Sequence, residues 1–354
     1  MPDPPAHPST TLAPSARLVG TAVRRSEDRR LLTGRGSYVD DVPVPGVLHA
    51  HFVRSDVARA RITRLDTGAA RAAPGVVAVF TAADLNPMRQ GTMMATIMAP
   101  AAAFGIGAPE HPLADGDVRF VGDPYALVIA HSRGQAEDAG ELVEADFEVR
   151  TPVVDYATAA TSTELVHHEK ESNIAMSSGA PVDDELQAVL DHAHHVVTET
   201  FVQQRYLPVP MEPRGIVAHW QPVIEDFRIW VSTQSPHDVR TVTSRITGVA
   251  EQQIRVTMGD VGGGFGQKAY LARDEQVIIL AAHVLGRPVK WIEDRRENLV
   301  AATTARTERC TATVAADADG VLLGSHVVQL DELGAYPLSF SPGAMAATHF
   351  TGPY

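Results

Sequence analysis

The sequence is poor in cysteine, with Cys310 the single one in 354 residues. One thiol excludes an intramolecular disulfide, and it excludes an iron–sulfur cluster or zinc finger ligated by cysteines of this chain alone. Long apolar runs are missing as well. No stretch of about eighteen uncharged apolar residues occurs, so a membrane-spanning helix is excluded. Positive charge is scarce. The 30 Lys and Arg stand against 43 Asp and Glu, and a net charge of −13 argues against nucleic acid as a partner. The opening segment MPDPPAHPSTTLAPSARL lacks both a charged start and a continuous apolar stretch. It is read as a loose arm over 1–30 rather than a secretory signal, and the expected compartment is the cytoplasm.

What is present is ordinary globular usage: 44% hydrophobic and 21% charged residues, enough for a sizeable core. The length suggests two or three domains. The charge is uneven. Residues 1–75 hold eleven Arg, no Lys and seven acids, so the acidic excess lies in the remainder. Arg24, Arg25, Arg29 and Arg30 are read as a solvated basic arm, with contact to an acidic partner as the sharper alternative.

The pattern along the chain mixes strands and helices. LHAHFVRS alternates as a strand does, and ITRLDTGAARAAPGVVAVF reads as strand, short helix and strand. Residues 86–114, rich in Met and Ala, are expected to form an irregular loop. VRFVGDPYALVIA reads as two strands around a Gly-Asp-Pro turn, and SRGQAEDAGELVEADFEV as a helix followed by a strand. Residues 151–180 form a low-periodicity connection. Beyond it, HVVTETFVQQRY, GIVAHW, FRIWVSTQ, IRVTMGD and VKWIED are strand-like. HDVRTVTSRIT is helical and closed by Gly248. KAYLARDEQVIILAAHVL is the clearest helix, expected from Lys268 and stopped by Gly286 and Pro288. ERCTATVAADADGVLLGSHVVQL is expected to be a hairpin turning at Asp319-Gly320.

Chemistry concentrates in VGGGFGQ. Gly262, Gly263, Gly264 and Gly266 strip this segment of side chains, so backbone can approach a ligand closely and adopt positive φ. Running directly into a helix N-terminus, such a loop would favour an anion. The dinucleotide pattern fails, because its third glycine would fall at Gln267. The P-loop pattern fails as well, because Lys268 is preceded by Gln267 and followed by Ala269. His192, His194 and His195 are read as surface or edge histidines, Asp317, Asp319 and Gly320 as a hairpin turn, and Cys310 as a small core residue. Asp274 and Glu275 are read as structural.

VSTQSPH, followed by GDVGGGFGQK with thirty-one residues from Gln234 to Phe265, resembles the molybdenum-binding large subunit of the xanthine dehydrogenase, aldehyde oxidase and carbon monoxide dehydrogenase family. RSEDRRLLTGRGSYVDDV, MEPRGIVA, VKWIEDRREN and LDELGAY are similar to other parts of these subunits, so the resemblance runs from about residue 17 to Tyr354. It implies an α+β chain: an N-terminal α/β hammerhead domain over 31–160, then an incomplete mixed α+β molybdopterin-binding domain over 161–354. The implied cofactor is molybdenum–molybdopterin, with the cytosine dinucleotide form as an option. Gln234 matches the glutamine whose amide hydrogen-bonds an oxygen ligand of the metal. Phe265 matches the phenylalanine whose backbone lies beside the metal ligands, and Gly263, Gly264 and Gly266 match the backbone cradle. The metal therefore receives Gln234 and Phe265 as neighbours rather than direct ligands. Lys268 is expected either to neutralise cofactor charge or to be solvated at a helix start.

The resemblance also implies partners, an iron–sulfur subunit and an FAD subunit, in a hetero-oligomer that oxidatively hydroxylates an aldehyde, an N-heterocycle or a related small molecule. Xanthine-oxidising members carry a glutamate directly after the lysine. Ala269 stands there in this chain, which argues against purines. The general-base glutamate of the family is expected beyond Tyr354, so the chain is read as a fragment without turnover of its own. The rival readings are a non-catalytic binding or assembly module, and an enzyme using another anionic cofactor at the glycine loop.

Overall fold

The computed structural model describes residues 19–88, 111–175, 177, 179, 181–305 and 307–336. Of the loop expected at 86–114, residues 89–110 lie outside them. Of the described residues, 19–37 belong to one compact unit, in which Arg24, Arg25 and Arg29 are exposed around a short helix, α1 (Asp28–Leu32). The described residues from 38 onward belong to the other.

The second unit begins with β1 (Leu48–Arg54), β2 (Ala60–Asp66), α2 (Gly68–Ala72), β3 (Val76–Thr81) and α3 (Ala82–Leu85). It continues with β4 (Asp117–Val118), β5 (Pro124–Ala130), α4 (Arg133–Gly140), β6 (Glu144–Val149) and α5 (Tyr156–Ala159). Then come α6 (Asp184–His192), β7 (His195–Gln203), β8 (Gly215–Gln221), β9 (Asp226–Val231), α7 (Pro236–Thr247) and β10 (Ile254–Thr257). The last elements are α8 (Arg273–Leu285), β11 (Val289–Ile292), α9 (Arg295–Ala301), β12 (Glu308–Ala316) and β13 (Leu322–Asp331). The α+β architecture expected from the sequence is present.

A seven-stranded mixed sheet, ordered β10-β9-β8-β11-β1-β5-β3, organises the unit. Two three-stranded sheets, β13-β12-β7 and β4-β2-β6, accompany it. The large sheet takes strands from both sides of the boundary expected near residue 160. β1 pairs in parallel with β11 through Leu48↔Val289, and the Leu48 amide donates to Pro288 O at 2.8 Å. β5 is buried along its whole length. Its Leu127 and Ile129 join the large core, and its Ala126, Val128 and Ala130 join a smaller one with Ala136 and Ala139 of α4.

Helix α8 crosses the large core with Val277, Ile278 and Ile279 fully buried against Ile216, Phe227 and Trp291. A helix sunk this deeply buries its polar N-terminal turn too, so its charges need partners. Arg273 pairs with buried Asp123 of the Gly-Asp-Pro turn at 2.7 Å. Asp274 pairs with Arg54 of β1 and with Arg214, both at 2.9 Å. The Glu275 carboxyl group caps the helix, its Oε2 accepting from the Ala272 amide at 2.8 Å. Burial opposes ionisation of Asp274, and the two guanidinium groups outweigh it, holding its carboxyl down at about 2. Burial pushes the Glu275 carboxyl up to about 8, with Arg214 offsetting part of the effect.

The two carboxyls make opposite contributions to stability against pH. Folded Glu275 keeps its proton up to about 8, whereas the unfolded chain releases it near the ordinary 4.5. Stability is therefore lost as pH rises between those values, by up to about 1.4 kcal/mol per pH unit. Glu275→Gln keeps the volume and the cap while removing the titration. Thermal unfolding followed across that window should be flatter for Glu275→Gln than for wild type, with the variant more stable at the alkaline end. Parallel curves would show that Glu275 is ionised in the fold.

Candidate functional site

Strand β9, helix α7 and strand β10 form a β-α-β unit. β9 and β10 pair in parallel, with Trp230 opposite Thr257 near their carboxyl ends. The segments leaving the two strands must therefore emerge at the same edge, the usual place for a ligand site. Gln234 lies just past β9, and the glycine loop just past β10. Pro236 at the first turn of α7, with Gly248 closing it at φ +76°, fixes the crossover between them.

The structure brings Gln234 and the loop into contact. The Gln234 amide N–H donates to Lys268 O at 2.8 Å, and Thr233 Oγ1 donates to the same carbonyl at 3.1 Å. The Gln234 side chain lies on the loop, and its Oε1 accepts from the Gly266 N–H at 3.1 Å. That donor sets the orientation of the carboxamide: oxygen faces the loop, so Nε2 is the group left to present. A Cβ at Gly264 would sit 2.3 Å from Gln234 Oε1, so any side chain there displaces the glutamine.

Gly263 (φ +99°), Phe265 (φ +52°) and Gly266 (φ +86°) occupy the left-handed region, and Phe265 is 73% exposed. Among the described residues, the amides of Gly263, Gly264 and Phe265 have no hydrogen-bond partner. Three successive free amides, with positive φ on either side of Gly264, are suited to anionic or oxygen-bearing groups.

Three expectations need correction. Helix α8 begins at Arg273, not Lys268, and residues 265–268 form a turn followed by a bend at 269–270. Gln267 N–H donates to Gly264 O at 3.0 Å and Ala269 N–H to Gly266 O at 3.2 Å. The loop therefore does not run directly into a helix N-terminus, and its anion affinity rests on its own amides. Lys268 is neither solvated nor turned toward a ligand. It is 2% exposed, and its Nζ donates to Glu212 O at 2.7 Å, Glu212 Oε2 at 3.0 Å and Ser232 Oγ at 2.8 Å. Burial lowers its pKa, and the Glu212 carboxylate opposes that. Cys310 is half-exposed on β12 rather than a core residue. Asp274 and Glu275 are structural, as read from the sequence.

The support beneath the loop was not nominated from the sequence. Glu212 Oε2 accepts from the Gly262 N–H at 2.8 Å and from Ser232 Oγ at 2.6 Å. A Cβ at Gly262 would lie 2.4 Å from the Glu212 Cβ, so this glycine is needed for close approach. Gln267 is buried and held from two sides. Its Nε2 donates to Pro208 O at 3.2 Å, and its Oε1 accepts from Asn298 Nδ2 at 2.9 Å. Arg295 of α9 donates to Pro210 O. The usable signal was the segment MEPRG, whose glutamate and arginine both turn inward.

The contact between Gly264 and Gln234 makes a direct prediction. Gly264→Ala forces the glutamine off the loop and should cost about 1–3 kcal/mol, as overpacking does. In a Gln234→Ala background the obstructing atoms are gone, and the same substitution should be close to neutral. Denaturant unfolding of the four proteins measures this. Equal costs in both backgrounds would contradict the contact.

Comparison with known proteins gives the family of the chain. Residues 166–354 match the model of the molybdopterin cofactor-binding domain. Residues 33–151 match the a/b hammerhead domain of aldehyde oxidase and xanthine dehydrogenase. The chain is 40% identical over 343 residues to the nicotine 6-hydroxylase large subunit of Paenarthrobacter nicotinovorans, covering 95% of this chain and 41% of that protein. It is 36% identical to the carbon monoxide dehydrogenase large chain of Hydrogenophaga pseudoflava, covering 92% and 41%. Quinoline 2-oxidoreductase of Pseudomonas putida 86 superposes with a TM-score of 0.82 at 38% identity, over 90% of this chain and 40% of that one. The chain thus spans about 41% of the length of the curated relatives it matches. With a family model covering more than half of it, the chain belongs to the molybdopterin cofactor-binding family of molybdenum hydroxylase large subunits, preceded by the hammerhead domain of aldehyde oxidases and xanthine dehydrogenases.

Proposed function

We propose that this chain provides one wall of a molybdenum hydroxylase site, in which Gly263, Gly264, Phe265 and Gly266 cradle a molybdenum–molybdopterin cofactor and Gln234 addresses its metal end. The observation that carries the reading is the row of free amides at Gly263, Gly264 and Phe265 beside a glutamine oriented by the Gly266 N–H. The donor set fits the group. A phosphate-bearing pterin with oxygen ligands asks for N–H donors without competing side chains, and the loop offers them. When bound, the cofactor supplies the two-electron redox chemistry that hydroxylates an electron-poor carbon, and the protein supplies orientation and electrostatics. Gln234 contributes a neutral donor at Nε2, so it can orient an oxygen without adding charge. Phe265 and Gln234 act as neighbours of the metal rather than ligands. The pterin is either molybdopterin itself or its cytosine dinucleotide.

The proposed substrate is a small aldehyde or N-heterocycle. The similarity to a nicotine 6-hydroxylase subunit and to a quinoline oxidoreductase supports the heterocycle, and Ala269 beside the buried lysine argues against purines. Electrons are proposed to leave through an iron–sulfur subunit and an FAD subunit in a hetero-oligomer, a reading supported by relatives that are themselves large subunits. The chain is proposed to work in the cytoplasm. Among the described residues, no helix is long and apolar enough to cross a membrane.

Two variants of the assembled holoenzyme test the assignment. Gly264→Val should lose molybdenum and pterin, because a branched side chain fills the cradle and displaces Gln234. Gln234→Ala should retain the cofactor and turn over roughly a hundredfold more slowly, the usual loss for one preorganised donor. Metal analysis and steady-state kinetics read both. A fully metallated, active Gly264→Val enzyme would overturn the cradle, and normal turnover by Gln234→Ala would reduce that glutamine to a structural residue.

A further inference from the structure

Lys268 is gripped at both ends by the chain that carries Gln234. Its carbonyl accepts from the Gln234 N–H and from Thr233 Oγ1. Its ammonium donates to Ser232 Oγ and to Glu212, which uses up all three of its protons. Glu212 sits at the centre of this arrangement. A single carboxylate oxygen, Oε2, accepts from Lys268 Nζ at 3.0 Å, Ser232 Oγ at 2.6 Å and Gly262 N at 2.8 Å. The Glu212 N–H returns a bond to Gly262 O at 3.2 Å. Three donors on one oxygen call for a full negative charge, which a neutral amide does not offer. The hub therefore ties the start of the glycine loop, its end, and the strand exit two residues before Gln234. Clearance there is nil: Gln234 already occupies the space that a Gly264 Cβ would need.

We propose that Glu212 is a positioning residue for the reaction, holding Gln234 in register with the loop through Ser232 and Lys268. The proposal rests on the reading of the loop as the cofactor cradle. It assigns Glu212 no contact with substrate or cofactor. The ammonium of Lys268, fully engaged inward, serves the same purpose and does not neutralise cofactor charge.

The test uses the assembled holoenzyme with Glu212→Gln, Gln234→Ala, the double variant, and Ser232→Ala. Turnover per bound molybdenum should fall roughly ten- to a hundredfold in Glu212→Gln, the usual loss for a partner of this kind, while KM stays within about twofold. In the double variant kcat should fall no further than in Gln234→Ala, because residues acting through one another are not additive. Molybdenum release during dialysis gives a readout independent of turnover. Glu212→Gln and Ser232→Ala should release the metal faster than wild type, and Gln234→Ala should not. Should Glu212→Gln fail to fold, Ser232→Ala still reports, since it removes one hydroxyl and leaves the charge pair in place. Additive losses in kcat, or wild-type release by Ser232→Ala, would overturn the positioning role while leaving the cradle intact. A wild-type enzyme without molybdenum would instead overturn the cradle reading, and this role with it.

Discussion

Arg214 lies where several chain segments meet, and the site depends on its being neutralised there. Its guanidinium is shared by Glu293 and by Asp274. Asp274 in turn holds Arg54, and Arg54 holds Glu297 at 3.1 Å. The row Glu293–Arg214–Asp274–Arg54–Glu297 joins the entry to β8, the exit of β11, the first turn of α8, strand β1 and helix α9. Arg214 also stacks over Trp291 at 5.3 Å, and Arg54 over Phe52 at 4.8 Å, so the charges are embedded in the core rather than beside it. A buried ionic row adds little net stability, because desolvation consumes most of the attraction. Losing one member is severe, since its partner stays buried and uncompensated. The row therefore acts as a register device. It fixes the start of α8 and the position of α9, and through Asn298 and Arg295 it fixes Gln267 and Pro210 at the base of the loop.

On that base the loop can be made of backbone alone. Side chains do the holding from below: Glu212, Lys268 and Gln267 all point inward and are saturated by protein partners. The outward surface is left with free amides, the Gln234 carboxamide and the exposed Phe265 ring. Such a division suits a large cofactor that brings its own reactivity. It needs a rigid, donor-lined surface more than it needs catalytic side chains.

Much of this was legible in the sequence. The strand and helix order followed from periodicity, and the failed dinucleotide and P-loop spacings correctly left the loop unassigned to either pattern. The start of α8 was misplaced because KAYLA continues the apolar spacing of the helix, while Gln267 and Lys268 are in fact buried anchors in a turn. Glu212 was missed because a carboxylate serving a lysine fifty-six residues later leaves no periodic trace. The β1–β11 pairing was hidden for the same reason, since a connection between distant strands is set by the packed core and not by local pattern. Cys310 was misjudged because its strand lies in the small β13-β12-β7 sheet, where β7 is exposed along its whole length.

The proposed chemistry stands on one location: the metal beside Gln234 and the free amides of Gly263, Gly264 and Phe265. Diffraction from crystals of the assembled enzyme, collected on either side of the molybdenum absorption edge, measures it directly. The predicted result is a single anomalous peak next to Gln234 Nε2 with pterin density over the glycine loop. A molybdenum peak elsewhere in the chain, or a loop whose amides face only solvent in a fully metallated enzyme, would contradict it.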